Sequence, residues 1–168
     1  MYDDTITLDR LEPNEQAVVS AIRRWRYYPE TVSCGVLPRV AREQIAGLVA
    51  FLWRSDPFAV NVGMAFDQEL RLFEVQLLYA ISEQLAGKTM TTSEIIAWWF
   101  PVTEQSQARA ALQSIGEGLS SAGVSIVSAD WVRDYFQSMT LRRVRKNAEL
   151  TRNKQLNEYA EPVSAMIH

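Results

Sequence analysis

Phe66, Leu70, Phe73, Leu77, Ile81 and Leu85 follow one another at intervals of four or three residues. That spacing returns each side chain to the same side of an α-helix. Leu72, Val75, Leu78 and Tyr79 add a second apolar face to the same segment. A helix that is apolar on two faces has to be covered on both, which places it in the middle of a bundle. The segment around 66–86 is therefore predicted to be the central helix, with Gly87 supplying the left-handed residue that ends it.

The rest of the chain reads as helices gathered around this one. Val18, Ile22 and Trp25, widened by Val19, give a first helix over about 13–28, opened by Pro13 and closed by Pro29. Arg23, Arg24 and Arg26 fall largely off its stripe and are expected in solvent. Ala41, Ile45, Leu48 and Leu52 mark a second helix that starts at Pro38 and stops at Ser55-Asp56-Pro57. The apolar stretch 58–65 reads as a buried loop or a short strand. A short fourth helix is expected over 93–100, a fifth over 104–121 and a sixth from about residue 128. Val124-Ser125-Ile126-Val127 alternates, which leaves room for a short β element near 124–127. The fold class is all-α, a bundle of five or six helices. A single helical domain is expected over 1–141 and a basic helical extension with a frayed tail over 142–168.

With 168 residues, one cysteine and 48% hydrophobic residues, the chain has the length and composition of one ordinary globular domain. No intrachain disulfide can form from Cys34 alone. The acidic start Met1-Tyr2-Asp3-Asp4 lacks the pattern of a secretory signal, and no apolar run approaches a bilayer span. These features read as a soluble, cytoplasmic protein with no membrane partner.

Catalytic chemistry has few footholds. The one histidine is His168, the last residue, so no imidazole is held by a third group. Cysteine and histidine, the usual zinc ligands, stand at opposite ends of the chain, and no phosphate-binding glycine motif occurs. The expectation is no catalytic residue, no metal and no cofactor. A small carboxylate-based enzyme is the second alternative. Glu69 and Glu74, five apart on the strongest helix, are not expected to converge; they read as solvated surface acids. Cys34 reads as a buried, inert thiol.

Two features point to macromolecular contact. Trp98, Trp99 and Phe100 are consecutive, and adjacent helical residues point about 100° apart. Either the short helix is wedged between two layers or one ring is exposed; the trio reads as aromatic core filling, with a partner-docking patch as the functional alternative. The second feature is charge. Residues 1–141 hold 11 Lys/Arg against 17 Asp/Glu, whereas 142–154 carry Arg142, Arg143, Arg145, Lys146, Arg152 and Lys154 with one acid, Glu149. Like charges crowd together where solvent or a partner relieves them. As a helix the segment spreads its cations around the circumference, which suits a phosphate backbone or an acidic protein; a solvated helix, or one docked on the chain's own acidic body or a twin, is the competing account.

From Leu70 to Val127 the order is long helix, short helix, longer helix, then a candidate strand. It contains Glu74-x-x-Leu77-Leu78, Gly87, Thr92-x-Glu94-Ile95, Leu112-x-x-Ile115-x-x-x-Leu119 and Val124-x-Ile126. This arrangement resembles the winged-helix module of two-component response-regulator effector domains, over about a third of the chain. The resemblance implies DNA binding, with the 104–121 helix in the major groove and a wing on the backbone. That helix offers only Arg109 as a cation, against Glu104 and Glu117, and no glycine-rich hairpin follows it. The expected function is thus a non-enzymatic regulatory or adaptor protein that binds a protein or nucleic acid through the basic segment, with a homodimer open. A winged-helix DNA-binding regulator is the first alternative.

Overall fold

The computed structural model of the chain describes residues 6–27, 37–126, 133–135 and 137–138. Among these residues the structure is all-α. Helix α1 runs Pro13–Tyr27, α2 Arg39–Ser55, α3 Leu72–Leu85, α4 Thr89–Trp99 and α5 Gln105–Ser121, preceded by one 3-10 turn at Leu8–Arg10. Residues 133–135 and 137–138 are also helical, inside the expected sixth helix. No strand is formed among the described residues. The proposed β element is irregular chain at 124–126, and residue 127 lies outside the description.

Most of the apolar positions read from the sequence close the core. Val18, Val19 and Ile22 of α1, Ala41, Ile45, Val49 and Leu52 of α2, and Leu77, Leu78 and Ile81 of α3 are almost wholly buried. Helix α3 packs on α1, α4 and α5, as a central helix should. The centre is nevertheless shared, because α5 packs on α2, α3 and α4. Close approach is permitted where α5 carries no side chain. A Cβ on Gly118 would lie 2.8 Å from Gln44 Oε1 of α2, and one on Gly116 would lie 3.1 Å from Gln84 Cγ of α3.

Helix ends follow local chemistry. Gly87, with φ +74°, closes α3, and Gly123, with φ +68°, closes α5. Positive φ is a region that residues with a Cβ rarely enter. Ser55 Oγ donates to Glu104 Oε2, tying the end of α2 to the start of α5.

The central helix is shorter than its periodicity. It begins at Leu72, so Phe66 and Leu70 precede it. The chain before it instead pairs with the N-terminal segment, through Leu8 N–H to Gln68 O and Leu70 N–H to Ile6 O, both 2.8 Å, around an isolated antiparallel bridge between Thr7 and Glu69. Backbone groups committed to that bridge are lost to an earlier helical turn. Phe66, the first member of the stripe, is 91% exposed. Helix α4 begins four residues before the expected Ser93, and Thr92 Oγ1 donates back to Thr89 O inside it.

Candidate functional site

Two residues expected in solvent are instead buried against each other. Arg23 is 2% exposed and Glu74 fully buried. Arg23 Nε lies 2.7 Å from Glu74 Oε1, and Arg23 Nη2 lies 3.0 Å from Oε2, a two-point pairing of guanidinium and carboxylate. The remaining valences go to backbone. Arg23 donates through Nη2 to Glu69 O at 2.8 Å and through Nη1 to Asp67 O. Glu74 accepts from Gly63 N–H at 3.0 Å and from Arg71 N–H at 2.8 Å. The pair thereby joins α1 to α3 and holds both limbs of the connection 56–71 between them. Burial of a charged pair is tolerated because its hydrogen-bonding groups are so widely engaged.

Gly63 is part of the arrangement. Its added Cβ would fall 3.0 Å from Arg23 Nη2 and 3.2 Å from Arg23 Cζ, so the backbone comes up close against the guanidinium. Asp67 braces the turn from outside, accepting from Met64 N–H at 2.9 Å and from Arg71 Nη2 at 3.0 Å. Those two contacts, the backbone one first, hold its carboxyl below the usual aspartate range. Val60 and Val62 face inward and are buried.

The other side of this connection is apolar and outward. Phe58 is 97% exposed, Phe66 91% and Met64 62%. Loop residues that point inward anchor the turn, and the alternate positions have nowhere to go but solvent. Helical spacing puts Phe66 on the core stripe, and 58–65 reads as a buried loop or a short strand; the chain is a loop there, but only its Val60, Val62 and Gly63 positions are buried. The available signal was Glu74, a carboxylate at the third position of a helix starting at Leu72, where it accepts from the N-terminal backbone.

The predicted docking patch separates. Trp99 and Phe100 are buried, Trp99 against Phe73 at 5.5 Å between ring centres and Phe100 stacked on Phe51 at 4.8 Å. Trp99 Nε1 donates to Gln76 Oε1 at 3.4 Å. Both rings are core filling, and only Trp98, 40% exposed, reaches the surface. Of the two arrangements considered for this trio, the one with an exposed ring is realised. Glu69 and Glu74 do not converge: Glu69 sits on the bridge before α3, while Glu74 is buried with Arg23. Cys34 and the six basic residues Arg142, Arg143, Arg145, Lys146, Arg152 and Lys154 lie outside the described residues.

A second polar cluster lies where α3 and α5 end side by side. Glu83 is 3% exposed, and Lys88 Nζ reaches its Oε1 at 3.2 Å. Burial, then the nearby Glu83 charge, pushes the Tyr79 phenol above the usual tyrosine range. A cleft of about 480 Å³ opens here, lined among others by Glu83, Lys88, Ser125 and Arg133.

Among the described residues no group of three His, Cys, Asp or Glu side chains is placed to hold a metal ion. No described helix is long and apolar enough to cross a membrane. No family model matches the chain, and no curated protein or solved structure is significantly similar to it.

Proposed function

We propose that this chain is a non-enzymatic, cytoplasmic regulatory or adaptor protein, and that it works by docking a protein partner. The observation that carries this reading is the loop 56–71, in which Phe58, Met64 and Phe66 stand in water while a buried Arg23–Glu74 pair fixes the backbone beneath them. Exposing two phenylalanines forfeits the burial that normally places them, roughly 1.5–3 kcal/mol each. A rigid mount limits the ordering cost of association, so the apolar side chains act as preformed anchors. The loop rim, 54–72, carries one net negative charge from Arg54, Asp56, Asp67, Glu69 and Arg71, which suits a partner pocket that is apolar with a basic edge. The basic run 142–154 supplies a second, electrostatic contact in this reading.

The test is a paired capture experiment with the wild type, Phe58→Ala/Phe66→Ala, and a chain ending at residue 141. A partner retained by wild type and lost from the double variant supports docking through the loop. The same proteins on all three chains defeat the proposal. Should nucleic acid be captured instead, log affinity will fall with log salt; contact by all six cations gives a slope of about −5 on duplex DNA. That outcome replaces the loop with the basic segment as the working surface. The winged-helix alternative has little to draw on, since α5 carries Arg109 as its only cation and 124–126 forms no strand.

A further inference from the structure

The cleft at the paired ends of α3 and α5 plays no part in the docking reading, and its chemistry is of another kind. Glu83 is a carboxylate at 3% exposure, yet it faces a cavity of about 480 Å³, within the size range of small-molecule sites. Lys88 and Arg133 bring two positive charges to the same walls. Against them stands the Glu83 carboxylate, since the end carbonyls of α3 and α5 already accept from backbone, Ser82 O from Ala86 N–H, Glu83 O from Lys88 N–H and Leu119 O from Val124 N–H. The lining therefore carries one net positive charge and is divided in sign within. Leu85, Val124 and Ile126 supply an apolar wall.

A simple cation in such a site is repelled by Lys88 and Arg133, and a simple anion by Glu83. A small ligand with no net charge but with both charges satisfies each half. We infer that the cleft binds a free α-amino acid with an apolar side chain. The ammonium group sits toward Glu83, the carboxylate toward Arg133 and Lys88, and the side chain on Leu85, Val124 and Ile126. Lys88 is half exposed and pairs with Glu83 across a short turn, so it can swing from that carboxylate to the ligand's own as the ammonium takes its place.

Calorimetric titration of the full-length chain tests this with L-leucine and two one-ended analogues, isoamylamine and 4-methylpentanoate, followed by valine, methionine and phenylalanine. At least one of the four amino acids binds, and the amine and the acid that lack one charged end of that same amino acid are each at least about tenfold weaker, the loss expected when a charged hydrogen-bonding group is deleted. Glu83→Gln and, separately, Lys88→Met weaken amino-acid binding while the circular dichroism spectrum stays helical. The exposed position of Lys88 keeps the second variant informative if the first is unstable. Equal binding of an analogue and its parent overturns the inference. So does an absence of binding by all four amino acids at about 10 mM, where even millimolar affinity is detected. These titrations read the cleft alone, whatever the loop variants capture.

Discussion

At the scale of single residues, the Arg23–Glu74 pair decides how the chain between α2 and α3 is arranged. Breaking a buried pair leaves an uncompensated charge, so Glu74→Gln is expected to cost roughly 3–5 kcal/mol, read from the urea midpoint. Gly63→Ala will also destabilise, because the guanidinium it would press on is held by Glu74, Glu69 and Asp67 and has no room to retreat. Glu15 is a different case. It is 1% exposed, its Oε2 caps Glu12 N–H at 3.0 Å, and its Oε1 has no hydrogen-bond partner. Burial raises its pKa above the ordinary 4.5. The folded state thus holds this proton more tightly than the unfolded chain, and stability falls as pH rises from 4.5 through the raised value. Glu15→Gln should flatten that part of the stability profile and stabilise the protein at pH 7, as shown by thermal melts across pH.

At the scale of elements, one apolar stripe has two fates. Phe66 and Ile81 are equivalent by spacing, yet Phe66 is 91% exposed and Ile81 is fully buried. Ile81→Ala should therefore cost about 2–5 kcal/mol, and Phe66→Ala should stay within about 0.5 kcal/mol, in the same denaturant experiment. The stripes of α1, α2, α3 and α5 could be read directly, because burial of a helix follows its period. So could the stops at Gly87 and Gly123, where only the local backbone matters. The start of α3 could not. Residues 66–71 have a helical pattern, but the hydrogen bonds of Leu8 and Leu70 across the Thr7–Glu69 bridge settle their backbone, and Thr7 is sixty-two residues away.

At the scale of the whole molecule, a stretch of net charge −6 over 1–141 is followed in sequence by a segment of +5 over 142–154. The docking reading predicts that raising salt weakens the contribution of that segment while leaving the Phe58 and Phe66 contribution in place, because screening acts on exposed charges and not on apolar burial. Binding measured at low and high salt, with the loop variant and the 1–141 chain, separates the two. What the sequence by itself determined is the class of fold: helical periods and glycine stops are local properties, and a chain of this composition buries its stripes in one way, helix on helix. What only the tertiary structure decided is which charged residues are inside and which aromatic ones are outside. Arg23 is buried because Glu74 and two carbonyls from elsewhere in the chain meet it there, and Phe58 and Phe66 are exposed because that same meeting fixes the loop that carries them. Neither follows from the pattern around the residue, since both depend on partners brought together by folding.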